Sequence, residues 1–500
     1  MGTPLLSTGG MNVLFATLEV APFSKTGGLG DVAKGLPEAL ERQGIHCTIL
    51  TPWYRTIPER EPRLRDTRVI GVGMLLLGDI SIPVAWRKPV EQLPGPELIF
   101  LDEPVYISRD GPYAPGAARA RFMQEPEGSI LLSKAVRDWV AQHPDPERIV
   151  HLNDHQTALA APMVKSLPHP PPVVLTVHNF AFHGDYGPEI LPLLGLPTDG
   201  YYPGGPLEFF GKVNFLKVGL THADAITTVS PNYRKEALAD SHTTAGLEGV
   251  LREKQDRFVG ILNGVESELW SPAKSPYISP HFSPQRMSGK RTVKAKLLAE
   301  LGLPSNLLET PLFAVICRLV EQKGIELILS VADRLLQSPA ALIVLGTGRG
   351  DYEQAFRALQ ARYPGRCRAP VPYSEGLAHR AEAGSDMFLM PSLFEPCGLN
   401  QLYSLAFGTV PIVRRTGGLA DTVTDLRSND EKGTGYTFFD PTPDAFWSAI
   451  QAALRDYREP KRWLRMMKRG MLEDHSWDSV AKRYVTLYRS LLDGKGVPPL

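Results

Sequence analysis

At 500 residues the chain is too long for one hydrophobic core, so two or three domains are expected. Hydrophobic residues make up 43% and charged residues 22%, the balance of an ordinary globular protein. The 54 Lys and Arg cancel the 54 Asp and Glu, and a formal net charge of zero argues against nucleic acid or an anionic membrane as partner. Four cysteines, Cys47, Cys317, Cys367 and Cys397, are scattered with no Cys-x-x-Cys pair. That pattern suggests neither a zinc site nor a redox motif, and it suits a reducing, cytoplasmic setting. Residues 1–10 lack basic residues and a long apolar core, and read as a disordered leader rather than a signal peptide. The most apolar stretch, near 71–77, is far too short to span a bilayer.

In chain order, the apolar run 13–16 reads as a buried parallel strand. It leads into Lys25-Thr26-Gly27-Gly28-Leu29-Gly30-Asp31, and then a helix with Val32, Leu36, Ala39 and Leu40 on one face, closed by Gly44. A cation and paired glycines thus occupy a strand-to-helix loop, the kind that lies at the carboxyl edge of an α/β sheet. Glycines there serve either the turn itself or a ligand that approaches the backbone closely. Further strands are expected at 45–50, 149–152, 173–177, 225–229 and 259–262, with Ser230-Pro231 starting a helix.

From 271 to 289 four prolines interleave with serines, the composition of a connection, and 290–301 is helical in character. A second cycle begins with strand 313–317 and a helix whose face is Ile325, Ile328, Leu329, Ala332 and Leu335. Strands follow at 341–345, 386–390 and 410–413. The last helix, 479–492, turns Val480, Tyr484, Leu487, Tyr488 and Leu491 inward, and 497–500 is a tail. The expected fold is α/β, with two doubly wound (Rossmann-like) domains facing a deep inter-domain cleft. The expected boundaries are 11–270 for the first domain and 271–310 for the linker and connecting helix. The second domain takes 311–475, and 476–493 is a terminal helix packing on either domain.

Candidate chemistry collects after strands. Arg318 and Lys323 share the loop after 313–317, where two cations suit a diphosphate as well as they suit solvent. Glu395-Pro396-Cys397-Gly398-Leu399 follows 386–390 and precedes a helix face of Leu399, Leu402, Tyr403 and Ala406. A glutamate there either caps the helix or meets a ligand at its N-terminus, and Cys397 reads first as a packing residue. Arg415-Thr416-Gly417-Gly418 and Gly346-Thr347-Gly348 are further glycine turns at strand ends, weak as motifs alone. In the first half, His178 follows one strand and His151-Leu152-Asn153-Asp154 ends another. Neither metal-ligand spacing nor a Gly-x-Ser-x-Gly elbow is present, so no metal, no other cofactor and no hydrolase of that type is expected.

Taken together, these blocks resemble bacterial glycogen synthases and plant starch synthases. The likeness rests on Lys25-Thr26-Gly27-Gly28-Leu29-Gly30-Asp31, Thr176-Val177-His178-Asn179 and Asn214-Phe215-Leu216-Lys217. It extends through Ile261-Leu262-Asn263-Gly264-Val265, Arg318-Leu319-Val320-Glu321-Gln322-Lys323-Gly324 and Pro391-Ser392-Leu393-Phe394-Glu395-Pro396-Cys397-Gly398-Leu399. It ends in Arg415-Thr416-Gly417-Gly418-Leu419-Ala420-Asp421-Thr422-Val423, all in family order. The resemblance implies a GT-B fold and transfer of glucose from ADP-glucose to the non-reducing 4-hydroxyl of an α-1,4-glucan such as glycogen, with retention and without a catalytic metal. It implies catalytic roles for Glu395, His178, Lys323 and Arg318. Glu395 would position the donor glucose and stabilise its positive charge, and the two cations would hold the departing diphosphate. It assigns substrate binding to Lys25, Gly27, Gly28, Asp31, Asp154, Asn263, Cys397, Gly398, Leu399, Thr416, Gly417 and Gly418.

One departure stands out: the family's Asp-Trp-His run is Asp154-His155-Gln156 here, which bears on how the acceptor packs. Tyr403 stands where sister families carry a second glutamate, and this argues against those families. The rival readings are a retaining GT-B transferase using UDP-glucose or a small-sugar acceptor, and a binder that has lost turnover. ADP over UDP rests on the resemblance alone.

Overall fold

The computed structural model describes residues 10–91, 93–113 and 126–499. The leader expected at residues 1–10 therefore lies, Gly10 apart, outside the described residues. The chain forms two compact units: Met1–Val229 with Arg234–Gly264 and Trp477–Leu500, and Val265–Ser476 with Ser230–Tyr233.

The first unit is built on β1 (Asn12–Ala16), β2 (His46–Pro52), β3 (Thr67–Leu77), β4 (Ile80–Pro89), β5 (Glu97–Asp102), β6 (Arg148–Asn153) and β7 (Val173–Val177). Short strands β8 (Asp185–Tyr186), β9 (Glu208–Phe209) and β10 (Lys212–Asn214) form a side sheet, and β11 (Ala225–Thr228) and β12 (Phe258–Gly260) return to the main one. The main sheet has nine strands in the order β12-β11-β7-β6-β1-β2-β5-β4-β3. It is parallel from β12 to β5, and β4 and β3 close one side as an antiparallel hairpin. The strand order reverses between β1 and β6, so the loops leaving their carboxyl ends diverge to opposite faces and leave a crevice.

The terminal helix, Trp477–Leu492, packs within this unit against the helix Gly28–Arg42. Its Trp477, Val480, Tyr484, Leu487 and Tyr488 share one core with Leu36, Leu40 and Phe15. Two glycines make room for the tryptophan. A Cβ at Gly35 would lie 2.0 Å from the indole Nε1, and one at Gly264 would lie 2.7 Å from Trp477 Cα.

The second unit carries β13 (Leu312–Ile316), β14 (Ala341–Leu345), β15 (Cys367–Val371), β16 (Met387–Met390), β17 (Val410–Arg414) and β18 (Tyr436–Phe438). All pair in parallel, in the order β15-β14-β13-β16-β17-β18, with the reversal between β13 and β16. A parallel sheet must be covered on both faces, and the strands alternate accordingly. Phe313, Val315, Leu342, Val344, Met387 and Leu389 enter one core. Leu312, Ala314, Ile316, Ile343, Leu345 and Phe388 enter the other. Both units are thus doubly wound α/β sheets.

Candidate active site

In the first unit the loop after β1 is fixed from beneath by Glu19. This buried carboxylate accepts hydrogen bonds from Thr26 N (2.7 Å), Thr26 Oγ1 (2.6 Å), Gly27 N (3.0 Å) and the Tyr113 hydroxyl (2.8 Å). Gly27 caps the helix Gly28–Arg42, and nothing lies within 4 Å of where its Cβ would be. Space is left beside the helix N-terminus, where N–H groups and the dipole favour an anion. Lys25 is held by Asp31, Nζ to Oδ1 at 2.7 Å, but both side chains are partly exposed. An ion pair of that kind is worth at most about 1 kcal/mol, so the lysine is easily redirected to a ligand.

Across the reversal, β6 ends at Asn153 and the backbone turns at Asp154 with φ +56°. Asn153 Nδ2 donates to the Ala16 carbonyl at 3.0 Å, which orients its amide. Its Oδ1 therefore accepts from His178 Nε2 at 2.9 Å, and His178 Nδ1 is left as an acceptor. Asp154 Oδ1 accepts from His178 N at 2.7 Å. Burial holds the His178 imidazole down at about 3, so it is neutral at pH 7. Burial pushes the Asp154 carboxyl up to about 7, against the His178 and Asn179 N–H groups and with help from the Glu19 charge. His155 and Gln156 are buried and line a narrow recess with Tyr54, Arg109 and Tyr113. Asn263 follows β12 on the same carboxyl edge.

The second unit places its candidates at the β13/β16 reversal. Lys323 Nζ donates to Glu395 Oε2 at 2.6 Å, and Ser392 Oγ donates to the same oxygen at 3.0 Å. Glu395 is 6% exposed, whereas Arg318 on the Lys323 loop is exposed. The two loops are locked together by backbone. Leu393 N donates to the Gln322 carbonyl at 2.8 Å, and a Cβ at Gly324 (φ +66°) would sit 2.1 Å from the Pro391 carbonyl oxygen. Tyr373, exposed just after β15, presents an aromatic face on the same edge.

Two glycine turns prove to be supports for these loops. A Cβ at Gly417 (φ +44°) would lie 1.9 Å from the Glu395 carbonyl oxygen, and one at Gly418 2.2 Å from that of Cys397. The N–H of Gly418, a residue the resemblance assigns to substrate binding, is donated to the Glu395 and Pro396 carbonyls at 3.2 and 3.0 Å. Thr416, buried, caps the short helix Gly417–Thr422. Gly346 and Gly348 likewise press on the Cys317 and Leu319 carbonyls of the Arg318 loop. Among the described residues the N–H groups of Gly398 and Leu399, by contrast, carry no hydrogen bond. Cys397 is buried, and its carbonyl and that of Gly398 each take Gln401 Nε2 at 3.1 Å. Tyr403 stacks on Trp270 (3.6 Å, 5°), which also stacks on His379 (3.8 Å, 13°). The structure thus joins Lys323 to Glu395, Lys25 to Asp31, and Asp154 to His178. Glu19 was not foreseen, and Asn153 and Ser392 were named only as members of motifs with no role of their own, since a lone buried acid, amide or hydroxyl at a strand end has no spacing signature.

Among the described residues no group of three or more His, Cys, Asp or Glu is arranged to hold a metal ion, and no helix is long and apolar enough to cross a membrane.

Comparison with known proteins gives two family matches: a starch synthase catalytic domain over residues 12–253 and glycosyl transferases group 1 over residues 304–469. A glycogen synthase of Anaeromyxobacter dehalogenans (strain 2CP-C) is 40% identical over 496 residues, covering 96% of this chain and 100% of the relative. One from Dechloromonas aromatica (strain RCB) is 42% identical over 489 residues, covering 96% and 99%. The catalytic domain of starch synthase IV from Arabidopsis thaliana, solved with ADP and acarbose, superposes with a TM-score of 0.88 at 29% identity, covering 97% of this chain and all of that one. Sucrose-phosphate synthase from Thermosynechococcus elongatus, at 17% identity and a TM-score of 0.60, shares the fold alone.

Proposed function

The chain belongs to the glycogen synthase family, and from that premise we propose that it transfers glucose from ADP-glucose to the non-reducing 4-hydroxyl of glycogen or another α-1,4-glucan, with retention. It is a glycosyltransferase of GT-B fold, acting with a nucleotide-sugar donor and a glucan acceptor. The relative solved with ADP and acarbose supports the choice of nucleotide and of glucan class.

The observation that carries the residue roles is the 2.6 Å contact between Lys323 and Glu395. Departure of a nucleoside diphosphate leaves negative charge on the phosphate and positive charge on the sugar carbon. A cation and a carboxylate held side by side offer one partner to each. Lys323 and the exposed Arg318 meet the diphosphate, and Glu395 meets the sugar. Fixed charges of this kind supply the main catalytic term, because they need no reorganisation as the reaction proceeds. Gly398 and Leu399 offer N–H groups to the sugar hydroxyls. In the first unit, Lys25 with Gly27 and Gly28 forms an anion site beside the helix N-terminus, and Asp31 holds Lys25 until the donor arrives. The neutral His178 accepts a sugar hydroxyl proton at Nδ1, with Asp154 holding its backbone. Asn263, Thr416, Gly417, Gly418 and Cys397 shape the loops around the substrates. The reading includes a cytoplasmic setting, which four free cysteines support.

The test is glucose incorporation into glycogen from labelled ADP-glucose and UDP-glucose, side by side, with EDTA present. Strong incorporation from ADP-glucose in EDTA is expected. Incorporation only from UDP-glucose keeps the chemistry and overturns the donor, and incorporation from neither overturns the reading.

A further inference from the structure

β3 and β4 form a hairpin at the end of the nine-stranded sheet, joined by Gly78-Asp79. One face of it does what an antiparallel sheet requires: Leu75, Leu77, Ile82, Val84 and Trp86 are buried. The other face should be polar, since it meets water. It is not. Val72, Met74 and Leu76 are 80%, 57% and 56% exposed, and across the ladder they face Ala85, Pro83 and Ser81. Ile80 at the turn is 59% exposed, and Val69 and Ile70 extend the patch. A strand apolar on both faces has the composition of a buried strand.

The edge itself is open as well. β3 is the last strand of its sheet, and among the described residues no strand pairs with its outer side. Edge strands are ordinarily guarded by charge, proline or a bulge. Here the ladder irregularity falls between Val69 and Gly71. From Gly71 to Leu77 the strand then runs regularly, with neither a charge nor a proline.

We propose that this hairpin is a self-association surface, on which a second copy of the chain docks about a two-fold axis, the two apolar outer faces stacked on each other with the β3 strands antiparallel. Three observations select a second copy. A face stacked on its own copy about a two-fold axis makes the contact isologous and closed. The ends of the run are oppositely charged: Arg68 precedes it, Asp79 follows it, both are exposed, and among the described residues neither is ion-paired. Antiparallel apposition brings the Arg68 end of one copy to the Asp79 end of the other, and a formal net charge of zero adds no long-range repulsion. Covering the six apolar side chains on both copies removes roughly 1,200 Å² from water, within the range of stable specific interfaces.

The test is sedimentation velocity of the full chain across a wide concentration range. The expected mass is twice the 55.0 kDa of one copy, falling to 55.0 kDa in Met74→Lys, where like charges meet near the axis while the inward face is untouched. A wild-type chain that sediments at 55.0 kDa throughout overturns the proposal, as does a Met74→Lys dimer as stable as wild type. A second variant guards against misfolding of the first. Met74→Cys treated with a short bis-maleimide is expected to give a covalent dimer, whereas the wild-type chain and Phe439→Cys give none. Equal cross-linking in all three places the contact elsewhere and overturns the proposal.

Discussion

Gly417→Ala tests whether the Gly-Gly turn after β17 acts on the ligand or on Glu395. The added methyl would stand 1.9 Å from the Glu395 carbonyl oxygen, in a backbone with φ +44°. A comfortable carbon–oxygen separation is about 3.3 Å, so the Glu395 loop or the turn must move by more than about 1 Å. The left-handed backbone alone costs about 1–2 kcal/mol with an L side chain. Misplacing a catalytic group by about 1 Å costs on the order of 10²-fold in rate. The expected outcome is a lower melting temperature and a kcat down by about 10²-fold. Gly350→Ala, where nothing lies within 4 Å of the new Cβ, should match wild type in both. Turnover is read as ADP release with glycogen as acceptor, and stability by thermal melting. Alanine keeps the Gly417 N–H, so a change confined to KM, with kcat within about threefold of wild type, would refute the support role.

Glu395→Ala is expected to lower turnover by at least about 10²-fold while sparing ADP affinity, measured by calorimetry, and near-native turnover would contradict its role. Lys323→Ala should weaken ADP and ADP-glucose alike, because it acts on phosphate; unchanged ADP affinity counts against it. The same variant leaves the buried Glu395 carboxylate without its cation, so its melting temperature should also fall. Asp154 has a folded-state pKa of about 7 against about 3.9 unfolded, so the native state binds its proton more tightly. Its contribution to stability is full below the unfolded value and is lost as pH rises to about 7. Asp154→Asn removes that loss, and its melting temperature relative to wild type should climb between pH 5 and pH 8; a flat difference would refute the assignment.

How much of this was legible in the sequence depended on whether a feature leaves a local pattern. β1, β2, β6, β7, β11, β13, β14, β16 and β17 were legible as short apolar runs before a turn, because strands buried on both faces are written that way. β15 was not, since Cys367-Arg368-Ala369-Pro370-Val371 alternates with charge and contains a proline. β3 and β4 were not either, since glycines interrupt one and prolines the other. The packing of the terminal helix was left open because its own stripe is equally good against any apolar surface. What settles it is the absence of a side chain at Gly35 and Gly264, two positions far apart in sequence that jointly admit Trp477.

The same distinction runs through the candidate site. Lys25, Lys323, Arg318 and Glu395 could be singled out because each lies in a loop that follows a buried apolar run, inside a longer motif. Their relations could not: the 2.6 Å contact from Lys323 to Glu395 joins residues 72 positions apart. Glu19 illustrates the point from the other side. Seven residues before Thr26, it reads as one more acid on a loop, yet folded it takes four hydrogen bonds and sets the shape of the Lys25-Gly28 turn. Glycine is the converse case. Gly27 faces open space, the room that the proposed anion site uses, whereas Gly417 and Gly418 face the carbonyls of Glu395 and Cys397, where the fold requires it. A Gly-Gly pair after a strand is one pattern with two physical causes, and only the atoms opposite the missing Cβ separate them.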